Sequence, residues 1–120
     1  MNKVVINVCY GGFGLSEKTV NWLAENAREE LRNYIAKLHK DGLSDEDIAY
    51  NIEYEFEEEG IQRHDKDLVR CVEELGDSAS GSCSELVVTE INGNMYRIDE
   101  YDGLEMVIEP EDYKWIRIEE

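Results

Sequence analysis

The spacing of the apolar residues changes once along this 120-residue chain, and that change limits the architecture more than any other feature. Between residues 15 and 75 apolar side chains recur every three or four positions, the period of helices that each bury one face. Ser16 is a good N-cap, and Leu15 with Val20 forms a hydrophobic staple around it. Val20, Leu23, Ala24, Ala27, Leu31, Ile35 and Leu38 then predict one continuous helix up to the stop at Asp41-Gly42. Leu43, Ser44 and Ile48 repeat the start signal for a second helix reaching about Gly60, and Asp65 caps a third carrying Leu68, Val69, Val72 and Leu75 before Gly76. Beyond Ser84 the period drops to two. Glu85 to Ile91, Met95 to Tyr101 and Leu104 to Glu109 are β-prone runs joined by Asn92-Gly93-Asn94 and Asp102-Gly103, which predicts a meander, with Tyr113 to Ile118 returning as an edge strand. Lys3 to Cys9 is a further strand that runs into glycines. The expectation is an α+β fold: an N-terminal strand, three helices, then a C-terminal antiparallel β-meander, the helices on one face of the sheet. At this length, residues 1–120 form a single domain.

A net charge of −17, from 29 acidic against 12 basic residues, repels nucleic-acid backbones and excludes direct DNA or RNA binding as an expectation. Such a surface either serves solubility or faces a partner with a basic surface. Cys9, Cys71 and Cys83 are an odd set without C-x-x-C spacing, so neither a disulfide framework nor a zinc site is expected. The apolar run at residues 4–8 is too short for a secretory signal and no segment has the length of a membrane span, which points to a cytosolic protein.

Three constellations can carry chemistry. In the first, Asn7, Cys9, Tyr10, Gly11, Gly12, Phe13, Gly14 and Ser16 make a strand, a glycine loop and a helix start. Glycine amides and a helix N-terminus converge on anions, and exposed aromatics stack on planar rings. The segment lacks the dinucleotide fingerprint and the lysine of a phosphate loop, so a tight strand-to-helix turn explains it equally well. In the second, Arg63 can clamp a phosphate and His64 can act as a general base or acid beside Asp65, although a cap and a solvated loop histidine explain those two residues without chemistry. The third, Glu100-Tyr101-Asp102-Gly103, sets two carboxylates beside a tyrosine at a hairpin tip, which an Asp-Gly turn explains without any function. An acidic stretch stands apart from these three. Glu53, Glu55, Glu57, Glu58 and Glu59 lie in a stretch with no Lys or Arg between Lys40 and Arg63, which suits either a solvated face or a surface imitating phosphate charge. No spacing suits a metal, and no cofactor is implied.

Three segments, KVVINVCYGGFGLS (Lys3 to Ser16), RHDKDLVRCVEELG…CSELVVTEI (Arg63 to Ile91) and YRIDEYDG (Tyr96 to Gly103), resemble a family of small uncharacterised proteins encoded by bacteriophages and prophages. Gln62 stands where that family often has a proline, and His64 where it has an acidic or variable residue. The resemblance implies a viral protein in the cytoplasm of an infected bacterial host, with an accessory, anti-defence role. The expected function is sequestration of a small nucleotide-like ligand by Asn7, Tyr10, Gly11, Gly12, Phe13, Gly14, Ser16 and Arg63. Two alternatives stand beside it: an acidic inhibitor of a basic host defence protein, using Glu53 to Glu59, and a nucleotide hydrolase using His64 and Asp65. Binding rather than catalysis is the expectation, and the apolar residues of the meander predict a homodimer or larger homo-oligomer.

Overall fold

The structure, a computed structural model, describes residues 2–54, 61–112 and 116–118, apart from the side chains of residues 53 and 54. In chain order its elements are β1 (Asn2–Asn7), α1 (Glu17–Asn26), α2 (Glu29–Lys40), α3 (Asp45–Tyr54), α4 (Lys66–Leu75), β2 (Leu86–Ile91), β3 (Arg97–Tyr101) and β4 (Leu104–Ile108). The class is α+β, with four helices among the described residues.

β1 and β2 form an antiparallel ribbon running from Asn2 opposite Ile91 to Asn7 opposite Leu86. Period-two alternation gives this ribbon two apolar faces. Val5, Leu86 and Val88 face the helices and join the main core with Val20, Leu23, Leu31, Ile35, Ile48, Ile52 and Leu68. Val4, Ile6, Val87 and Ile91 face the other way and meet Tyr96, Ile98 and Val107. The helices therefore pack on one face of the ribbon, as expected, and the β3–β4 hairpin covers the other. Burying each such aliphatic side chain stabilises by about 1.5–3 kcal/mol, so a ribbon apolar on both faces needs both coverings.

That requirement explains why the C-terminal strands are not one meander. β3 pairs with β4, Arg97 opposite Ile108 and Tyr101 opposite Leu104, in a sheet of its own. Extending β2 edge to edge into β3 would leave Val4 and Ile6 bare; laying the hairpin across the ribbon covers them. The intervening turn is tied elsewhere: Asn2 Nδ2 donates to Gly93 O at 2.7 Å and Asn92 N to Glu109 Oε1 at 2.9 Å.

The expected long helix is also broken. Ala27 is extended at φ −75°, ψ 171°, which separates α1 from α2. Asp67 on α4 holds the break: its Oδ2 accepts from Arg28 N at 3.1 Å and from the Arg28 guanidinium at 2.9 Å, while Arg32 Nε donates to Ala27 O at 2.8 Å. Apolar periodicity continues through a bend when both halves bury the same side, and so it hid this one.

Local end signals hold. Ser16 Oγ accepts from Thr19 N, Ser44 Oγ from Asp47 N, and Asp65 Oδ1 from Asp67 N and Leu68 N. Residues 55–60, the expected far end of the second helix, lie outside the described residues, as do 113–115 of the expected last strand. Residues 116–118 belong to no strand and are exposed.

Candidate functional site

The glycine loop is built by two close backbone approaches. A Cβ on Gly11 would sit 1.8 Å from Cys83 O, and one on Gly103, at the β3–β4 tip, would sit 2.5 Å from both Gly12 N and Tyr10 O. Gly12 has φ +91° with nothing within 4 Å of its missing side chain. The bonds that pin the loop go to its carbonyls: Asn7 Nδ2 donates to Cys9 O at 2.6 Å, and Gly81 N and Ser84 Oγ donate to Gly14 O at 3.0 and 2.7 Å. The glycine content beyond a bare turn thus has a packing cause: two other loops lie against this one.

Gly11, Gly12, Phe13, Gly14 and Ser16 do line one open cleft, of about 630 Å³, with Ser78 and residues 80–84. Glu17, Lys18 and Glu46 are its charged members, so the lining carries more negative than positive charge. The other residues expected here are placed elsewhere. Asn7 is fully buried; its Nδ2 also donates to Gly103 O at 2.8 Å and its Oδ1 accepts from Glu85 N at 2.8 Å. Tyr10 is exposed and outside the lining. Arg63 is a clasp: its Nη1 and Nη2 donate to Glu105 Oε1 and Oε2 at 2.6 and 2.9 Å, and its guanidinium lies 3.6 Å from the Phe13 ring centre. Glu105 Oε1 also accepts from Asn7 N at 2.8 Å. The clasp occupies both Arg63 and a face of Phe13, so the expected phosphate clamp and ring platform at the glycine loop are not assembled there.

A second cleft, of about 580 Å³, opens where the start of β1, the N-terminal half of α4 and the turn before β3 meet. Lys3, Lys66, Arg70 and His64 line it with Asn2, Asn94, Tyr96, Val69 and Ile91, and no carboxylate is among the described lining residues. The chain has 12 basic residues against 29 acidic ones, and three of the cations line this one cavity, two of them with a carboxylate just outside its lining. Lys3 is partly engaged: its Nζ donates to Glu73 at 2.6 Å, and that contact raises its pKa above the ordinary lysine value. Arg70 reaches Asp67 at 3.5 Å and lies 5.3 Å from the Trp22 ring centre. Lys66 makes no ion pair among the described residues.

His64 and Tyr96 complete the lining. His64 Nδ1 and Tyr96 Oη are 2.8 Å apart, and the rings meet edge to face at 5.7 Å and 79°. Burial pushes the Tyr96 phenol above its ordinary value, opposed by the nearby Arg63 charge, so the hydroxyl keeps its proton at neutral pH. Asp65, by contrast, is committed: it caps α4 and pairs with Arg28 at 2.8 Å, which leaves His64 without the carboxylate partner expected for acid–base work.

Lys3, Lys66, Arg70, Tyr96, Asn2 and Asn94 were invisible as a site because they come from three separated segments with no shared motif. Packing of α4 against β1 brings two of the segments together, and the turn before β3 adds the third. Among the described residues no cluster of His, Cys, Asp and Glu suits a metal ion, and no helix is long and apolar enough to cross a membrane. Comparison with protein-family models, with curated proteins and with solved structures returns no match.

Proposed function

We propose that this chain is a binding protein that sequesters a small anionic, nucleotide-like molecule, and that the ligand sits in the cationic cleft of Lys3, Lys66 and Arg70 instead of at the glycine loop. One observation carries the reading: cations line that cavity without a carboxylate among its described residues, on a protein of net charge −17. A charge sum repels anions at long range, but salt screens it over roughly 8 Å at physiological ionic strength, so a ligand in the cleft responds chiefly to the nearest groups. Side chains, not amides, would make the anion seat, since Asp65 already takes the first amides of α4. The phage setting and the counter-defence role rest on the family resemblance.

Isothermal titration of the full chain with nucleotides and other small phosphates tests the reading. Lys66→Glu combined with Arg70→Glu should abolish binding, while Gly12→Val should leave it intact. Equal binding by the parent and the double variant refutes this site, and loss of binding in Gly12→Val alone returns the ligand to the glycine–serine cleft.

Two further proposals stand apart from the cleft. An acidic face against a basic defence protein rests on sequence alone, because residues 55–60 and the Glu53 side chain lie outside the described residues; reversing the charge of Glu57, Glu58 and Glu59 should destroy inhibition if that face acts. A homodimer would use the exposed Met95, Tyr101 and Met106 of the hairpin region. Light scattering that shows a strict monomer at micromolar concentration refutes it.

A further inference from the structure

Resting on the cationic cleft as the ligand site, we infer that its ligand carries one phosphate group and one planar ring, the chemistry of a nucleoside monophosphate, with the phosphate at Lys66 and Arg70 and the ring against Tyr96. Lys66 and Arg70 stand four residues apart on α4 and therefore share a helix face, with Val69 between them in the same wall. Lys66 makes no ion pair among the described residues, and the 3.5 Å approach of Arg70 to Asp67 is too long to hold its guanidinium fork. Lys3 is held to Glu73 at 2.6 Å and adds less. Lys66 and Arg70 thus make one anion seat on one helix face. A cyclic dinucleotide sets two phosphates on opposite sides of its ring and needs two such seats.

Tyr96 offers one aromatic platform in the lining. Tyr96 is half-buried and its orientation is fixed by the 2.8 Å contact to His64 Nδ1 and the edge-to-face packing of the two rings. Ile91 and Val69 add apolar lining, and a planar base stacks on an aromatic side chain whatever its sequence identity. The Asn94 amide, in the same lining, offers a donor and an acceptor together, which a base edge can meet and a bare phosphate cannot. About 580 Å³ lies within the usual range for a small-molecule site.

The test is a titration of the full chain with adenosine and guanosine monophosphates, adenosine, inorganic phosphate and a cyclic dinucleotide. It is followed by calorimetry and by Trp22 fluorescence in a Trp115→Phe background, since phosphate capture by Arg70 alters the cation 5.3 Å from Trp22. A nucleoside monophosphate should bind roughly tenfold or more tighter than the nucleoside or inorganic phosphate alone. Tyr96→Leu should weaken it roughly ten- to a hundredfold while Tyr96→Phe keeps the ring and the affinity. Lys66→Gln, at a surface position where folding is checked by circular dichroism, should weaken the monophosphate and leave adenosine unchanged. Inorganic phosphate binding as tightly as the nucleotides, or the cyclic dinucleotide binding more tightly than either monophosphate, overturns this inference and leaves the anion site standing. Failure of every anion to bind overturns both.

Discussion

Glu105→Ala should be among the most damaging single substitutions outside the apolar cores, because one carboxylate fastens three parts of the chain. Its side chain is 7% exposed and that of Arg63 is 23% exposed. It accepts two hydrogen bonds from Arg63 and one from the backbone N–H of Asn7. Truncation leaves a partly buried guanidinium without its counter-charge, and breaking a buried pair in this way costs about 3–5 kcal/mol. The Asn7 N–H is orphaned as well, a further penalty of about 1–3 kcal/mol, while the residual exposure of Arg63 lowers the first figure. The net expectation is about 3–5 kcal/mol, a large share of the roughly 5–15 kcal/mol that holds a domain of this size. Urea unfolding followed by circular dichroism measures it, together with a fall in Tm of roughly 10–20 °C. Glu105→Gln keeps an acceptor for Asn7 and should cost less, and Arg63→Met with Glu105→Leu should recover part of the loss. If Glu105→Ala unfolds within about 1 kcal/mol of the parent at unchanged slope, the clasp adds nothing and the hairpin is held by its other contacts.

Three other outcomes are expected. Gly11→Ala must displace backbone, since its Cβ would fall 1.8 Å from Cys83 O, whereas Gly12→Val suffers only left-handed strain at φ +91°, about 1–3 kcal/mol; Gly11→Ala should melt lower, and the reverse order would refute the packing account. Burial pushes the Cys71 thiol from 9.0 to about 11. The unfolded chain therefore ionises first, so the thiol's contribution is complete below pH 9 and is lost as pH rises towards 11, by about 2–3 kcal/mol; Cys71→Ala should flatten that alkaline slope in a pH series of urea melts. Asp67→Ala removes two of the hydrogen bonds that hold the bend at Ala27 and should cost about 1–3 kcal/mol, with faster hydrogen exchange at Arg28 than in the parent.

What was legible in the sequence is what short segments decide. Ser16, Ser44 and Asp65 cap helices through amides two or three residues away, so their chemistry shows in any window that contains them. Strand alternation at residues 86–91 and 104–108 and the Asp102-Gly103 turn are equally local. The bend at Ala27 is not, because Asp67 lies 39 positions from Arg28 and nothing near Ala27 announces it. The same holds for function. Arg63 reads as a free phosphate clamp until Glu105, 42 positions away, is seen to occupy it. His64 reads as a solvated loop residue until the hairpin brings Tyr96 against it. The glycine loop attracted the ligand reading because close backbone approach to a neighbouring loop and close approach to a ligand select the same residue.

The pairing of β1 with β2 also sets an order of events during synthesis. After Asn7 leaves the ribosome, its partner Leu86 follows only after roughly 80 more residues, about 4–16 s at ordinary translation rates. Through that interval Val4, Val5 and Ile6 have neither a strand partner nor the hairpin that covers their second face. The nascent chain thus carries an apolar, β-prone segment unpaired throughout that interval, and prolonging it with slow codons before residue 86 should lower the soluble yield without changing a single amino acid.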